Sequence, residues 1–124
     1  MSEKPIAERL QVKHGRRLAV IGAPATVDAE IGVRESRTSP DRADVVLVFA
    51  KDRAALEASL PNTLAVLRDD AILWLAYPKL TSPLAGDLHR DVIRESVPSH
   101  GLDTVSQIAV DTNWSALRLK RVGR

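Results

Sequence analysis

Three apolar runs without alternation organise the first two-thirds of the chain: Leu18-Ala-Val-Ile21, Val45-Val-Leu-Val-Phe49 and Ala71-Ile-Leu-Trp-Leu-Ala-Tyr77. A strand covered on one face alternates apolar with polar residues, whereas a strand buried on both faces reads as a continuous run. The three are therefore expected to be central strands of a parallel sheet, with helices packed on each side. A fourth, weaker run is Val105-Ser-Gln-Ile-Ala-Val110. Beyond it, Leu117-Arg-Leu-Lys-Arg121 alternates, which predicts a strand with one face toward water or loop. It follows the fourth run too closely for a helical crossover and should turn back antiparallel to it.

Helical patterns fall between the runs, as an α/β architecture requires. Residues 5–11 form a short helical candidate that stops near Gly15. Asp52 is a good N-cap for a helix whose stripe is Leu56, Leu60, Leu64 and Leu67, and Pro61 should kink or restart it. A further helix is expected over residues 86–97, with Leu88, Val92 and Ser96 on one stripe and Pro98 and Gly101 closing it. Residues 25–43 give the weakest pattern: a helical stretch over 27–31, a polar loop over 34–40, and an edge-strand candidate around Val33.

At 124 residues the chain fits one domain, spanning 1–124, which removes roughly two-thirds of its extended surface from water. With no cysteine, disulfides, zinc–thiolate sites and a thiol nucleophile are excluded. The apolar runs are far shorter than the ~20 residues of a membrane-spanning helix. Residues 1–17 are polar, with no signal-peptide core, so the cytoplasm is the expected compartment. Lys and Arg number 18 against 16 Asp and Glu, so the net charge is only +2 although the pI is 9.3. Basic groups gather over residues 13–17 and 118–124, but only four aromatic residues exist to stack bases. Solvated basic rims are the better account, and a nucleic-acid partner is not expected.

Three segments resemble a bacterial domain-of-unknown-function family of short proteins. They are Lys13-His-Gly15 leading into the first run and Ala23-Pro24; Trp74-Leu-Ala-Tyr-Pro-Lys79 ending the third; and Ile108-Ala-Val-Asp111 with Trp114-Ser-Ala-Leu117. The resemblance covers nearly the whole chain. It implies a compact Rossmann-like, three-layer fold similar to a truncated class I methyltransferase, with a mostly parallel sheet and an antiparallel C-terminal strand. It implies no activity.

An adenosyl or dinucleotide site after the first strand needs glycines, so that the backbone can approach ribose or phosphate. Here the turn has one, Gly22, and Pro24 removes a donor, while Asp28 and Glu30 are the nearest acids. Adenosylmethionine in the usual mode is not expected, and no cofactor is assigned. The histidines His14, His89 and His100 lack metal-ligand spacing, and no nucleophile elbow, phosphate loop or zinc-protease motif occurs. Asp87 and Asp91 read as a solvated helix face.

Open α/β sheets bind ligands beyond the carboxyl ends of their strands. Those ends carry Pro24, Lys51, Tyr77, Lys79, Thr81, Asp111 and Trp114, a polar and aromatic set suited to a small anionic or aromatic ligand. Trp74 is expected in the core, Asp111 to orient a turn and Trp114 to pack beneath it. The leading expectation is a non-catalytic binding module for a small molecule. One alternative is a homo-oligomer associating through a sheet edge or an apolar helix face; the last strand is a candidate edge, although its Arg118, Lys120 and Arg121 resemble charges that discourage pairing. Another is an enzyme using Lys79 with Asp111. No catalytic residue and no metal site are assigned.

Overall fold

The structure is a computed structural model and describes residues 4–122. Its elements, in chain order, are α1 (Ile6–Arg9), β1 (Leu18–Ile21), α2 (Ala25–Ile31), β2 (Val45–Phe49), α3 (Arg53–Val66), β3 (Ile72–Pro78), α4 (Arg90–Ser96), β4 (Leu102–Ala109) and β5 (Trp114–Arg121). They form a mixed five-stranded sheet in the order β1-β2-β3-β5-β4. β1, β2 and β3 pair in parallel, and β5 is antiparallel to both of its neighbours. β4, reversed with respect to β5, therefore runs in the same sense as β3, and only β5 opposes the rest. The exits of β1 to β4 and the start of β5 share one edge of the sheet.

The continuous runs of β2 and β3 follow from burial on both faces: every residue of β2 is buried, as is every residue of β3 after Ile72. Alternate side chains divide between two apolar clusters. Val46, Val48, Leu73 and Leu75 meet Leu56 and Leu60 of α3 and Ile93 of α4. Val45, Leu47, Trp74 and Ala76 meet Val27 and Ile31 of α2 and Leu10 after α1.

Two strands occupy places other than those their patterns suggest. β1 is not central. It lies at the end of the sheet, half-buried over Val20 and Ile21. β5 is not an edge strand but lies between β3 and β4, buried from Trp114 to Leu117. The alternation over 117–121 reflects only its last turn of chain, where Lys120 and Arg121 reach solvent. The open edge belongs to β4, whose register slips between Thr104 and Ser106 and leaves Val105 half-exposed. Such a bulge and an exposed, polar strand discourage pairing with another sheet.

Around Val33 there is no strand. Val33 sits in the left-handed region at φ 50°, a rare place for a β-branched residue, and opens a 3₁₀ turn. A single bridge then joins Arg37 to Leu18, and Thr38 N–H donates to the Leu18 carbonyl at 2.9 Å. The segment thus carries the chain past the outer edge of β1, from α2 on one face to Ala43 on the other. The Arg37 guanidinium holds this crossing by bonding the Asp28 carboxylate and the Asp28 and Gly32 carbonyls at the end of α2.

Asp52 caps α3 as expected, accepting from Ala55 N–H at 2.8 Å. α3 runs through Pro61 without a break. Asp87 is not on a helix face. It precedes α4 and accepts from Arg53 N–H at 2.9 Å, giving the α3 start a second carboxylate. α4 begins at Arg90, and its buried stripe is Ile93 and Val97. Arg121 reaches the carbonyls of Leu64 and Leu67 where α3 ends, each at 3.4 Å. Arg124, the end of the C-terminal basic run, lies outside the described residues. Among the described residues no helix is long and apolar enough to cross a membrane.

Candidate functional site

A cleft of about 530 Å³ opens at the carboxyl edge, above β3, β5 and β4 on the α4 side. This is within the ordinary range for a small-molecule site. Tyr77 and Ser115 lie opposite one another in the β3–β5 register, and both are buried. Alternation sends them to the same face as Leu75 and Leu117, so their hydroxyl-bearing side chains sit beneath the cleft. Lys79, Leu80 and Thr81 form one wall just beyond β3. His89, Arg90 and Asp91 form another at the start of α4, and Gln107, Ile108 and Ala109 of β4 complete it.

The walls are pinned at both ends of the loop between β3 and α4. Lys79 N–H donates to the Asn113 carbonyl at 2.8 Å, and Asp87 binds α3 as described. Within the loop, Ser82 N–H returns to the Lys79 carbonyl and Leu84 N–H to the Ser82 hydroxyl. On the β4 side, Arg90 Nη1 donates to Gln107 Oε1 at 3.4 Å, a long contact.

Of the seven residues singled out in the sequence, the cleft brings together Tyr77, Lys79 and Thr81. The other four line other places. Pro24 is the N-cap position of α2, beyond β1. Lys51 is exposed after β2. Asp111 Oδ1 accepts from the N–H groups of Asn113 and Trp114, both at 2.8 Å, which builds the β4–β5 turn. Trp114 points to the opposite face from Tyr77 and packs edge-on against Phe49, ring centroids 5.0 Å apart. Asp111 is thus occupied with the turn and lies outside the lining around Lys79.

His89, Arg90, Asp91, Gln107 and Ser115 escaped the sequence reading. Ser115 had a signal: it continues the Leu117, Leu119 face by one more step of two. Arg90 had one only through the helix start, which its pattern placed too early.

Burial pushes the Tyr77 hydroxyl up from its ordinary range, with the Arg90 charge and the Ser115 hydroxyl acting the other way. The phenol is therefore a neutral donor at neutral pH. Elsewhere three arginines are ion-paired: Arg34 and Arg37 share Asp28, and Arg68 joins Asp44 and Asp70. Among the described residues no carboxylate is within ion-pair range of Lys79 or Arg90. No three of His, Asp and Glu come together there as metal ligands.

Among the solved structures with a similar architecture are several methyltransferases. The ribosomal protein L11 methylase of Lactobacillus delbrueckii superposes with a TM-score of 0.59 at 11% identity, over 94% of this chain and 74% of its own. The B. subtilis m1A22 tRNA methyltransferase TrmK gives 0.55 at 12% identity, over 98% of this chain and 67% of its own. Streptococcus pneumoniae Sp1610, a structure in complex with S-adenosyl-L-methionine, gives 0.54 at 14% identity, over 98% and 73%. These likenesses show a Rossmann-like fold of the class I methyltransferase kind. No curated protein matches the chain in sequence.

The residues after β1 do not fit adenosylmethionine. Gly22 has φ 75°, and a Cβ placed on it would meet the Phe49 carbonyl at 3.3 Å; it is the turn's one glycine, with no second to bring the backbone close to a ligand. Pro24 offers no N–H, the Asp28 carboxylate is taken by two arginines, and Glu30 faces solvent. A single family model spans residues 9–123, and the chain belongs to that family, the proteins of unknown function DUF3052.

Proposed function

We propose that this protein is a small-molecule binding module that holds an organic anion, a carboxylate or phosphate, at the carboxyl edge of its three-layer Rossmann-like sheet. One observation carries the reading: Lys79 and Arg90, without carboxylate partners among the described residues, flank a cleft floored by the buried Tyr77 and Ser115. Charge-assisted bonds to a bound anion are the natural use of such donors. Asp91 lines the same cleft and partly offsets the two cations. Binding without transformation is the simpler role, because Asp111, the carboxylate that a catalytic Lys79 would need, is bonded to the β4–β5 turn and lies outside the cleft lining.

The test is a thermal-shift panel of small carboxylates and phosphates at low ionic strength, on the wild type and on Lys79→Ala. A ligand at 100 times Kd adds about 2.7 kcal/mol, enough to raise the midpoint by several degrees. The reading predicts such a rise in the wild type and its loss in the variant. A flat panel, or a rise that survives Lys79→Ala, contradicts it.

A further inference from the structure

A second depression, of about 200 Å³, lies beside the cleft between α4 and β4. It is lined by Arg90, Arg94, Thr104, Ser106 and Gln107 over Leu117, with Val105 at the bulge. Arg90 and Gln107 belong to both, so the cleft and the depression meet at the Arg90–Gln107 contact. Arg94 is one turn beyond Arg90, which places the two guanidinium groups on the same side of α4. Like Lys79 and Arg90, Arg94 has no carboxylate partner among the described residues, and no acid lines this depression. One hydroxyl, that of Thr104, lies on the α4 face of the strand, in register with Leu119, whereas Ser106 pairs with Arg118 on the other face. Planar guanidinium groups with a hydroxyl nearby suit a carboxylate or phosphate group.

We infer that the ligand carries two anionic groups, one held by Lys79 and Thr81 in the cleft and the other by Arg90 and Arg94 in the adjoining depression. This rests on the cleft being a ligand site and adds the second anion and its residues. The bulge between Thr104 and Ser106 contributes by turning β4 where the depression forms.

The experiment compares matched probes by calorimetry at low salt: hexanoate with α,ω-dicarboxylates of four to eight carbons, and fructose 6-phosphate with fructose 1,6-bisphosphate. The two pairs separate carboxylate from phosphate as the anion. Wild type and Arg94→Gln are titrated, with Lys79→Gln as the control for the cleft, and retained amide dispersion in NMR spectra confirms that each variant is folded. A charge-assisted contact corresponds to roughly 10-fold or more in affinity. Counting anionic groups rather than charges, the dianion of one series should bind wild type at least that much tighter than its monoanion. Arg94→Gln should bring the dianion down to the monoanion and leave the monoanion within twofold. Equal affinities in wild type, or a dianion advantage that survives Arg94→Gln, overturn the inference while leaving the cleft intact, provided Lys79→Gln abolishes monoanion binding. No binding of any probe overturns both.

Discussion

The indole N–H of Trp74 donates to the backbone carbonyl of Leu10 at 3.0 Å, joining a central strand to a segment 64 positions earlier. α1 has only four residues, and Leu10 is its C-cap, so this carbonyl ends the helix and has no further turn to continue the ladder. Trp74 supplies the donor from within the sheet, and the burial of Leu10 against β3 follows. Trp74→Phe keeps most of the apolar volume but leaves the buried carbonyl without its partner. The expected cost is about 1–3 kcal/mol from the orphaned acceptor, read as a lower urea midpoint with an unchanged slope.

Asp111 is expected to behave as a turn residue. Asp111→Ala removes one acceptor from two N–H groups and should cost about 1–3 kcal/mol. Asp111→Asn keeps an acceptor oxygen and should recover most of it. Anion affinity should be the same in both variants and wild type. A loss of affinity in Asp111→Asn at full stability would instead place this carboxyl in the site.

Much of this arrangement was legible in the sequence. β2 and β3 read as continuous apolar runs because helices cover both their faces, and the short spacing between the last two strands required an antiparallel return. Apolar content does not report strand order, however. β1 looks central because α2 and the crossing at Arg37 cover it, though only one neighbour pairs along its length. β5 looks like an edge because its final residues alternate, although its first four are buried between two strands. The site was half legible for the same reason. Strand exits gave Tyr77, Lys79 and Thr81, but Ser115 and Gln107 enter through the placing of β5 between β3 and β4, which no local pattern encodes. The crossing over residues 34–43 was opaque because side-chain bonds from Arg37, rather than apolar periodicity, hold it.

Two groups set opposite limits on stability. The Arg37 hydrogen bond, with help from Arg34, holds the Asp28 carboxyl below its ordinary value despite partial burial. Its contribution is therefore present above the unfolded value of about 3.9 and lost as pH falls through the folded one. Burial raises Tyr77, so its contribution is present below the unfolded value of about 10 and lost as pH rises through the folded one. Urea midpoints should fall below pH 4 less steeply in Asp28→Asn than in wild type. Above pH 10 they should fall less steeply in Tyr77→Phe. Parallel curves for variant and wild type contradict either assignment.

Adenosylmethionine is expected not to bind. A turn with one glycine, Gly22, and without an N–H at Pro24 denies it the backbone approach that such a site needs. Calorimetry with adenosylmethionine up to millimolar concentration should give only heats of dilution. A saturating isotherm would show that the turn rearranges.

The most direct test is an NMR titration of isotope-labelled protein with hexanoate at low ionic strength. The account predicts one saturating set of amide shifts gathered at Tyr77, Lys79, Thr81, Arg90 and Ser115, abolished by Lys79→Gln. Shifts that never saturate, or that gather at Gly22 and Ala25 or at the opposite sheet edge around Asp70 and Lys120, contradict it.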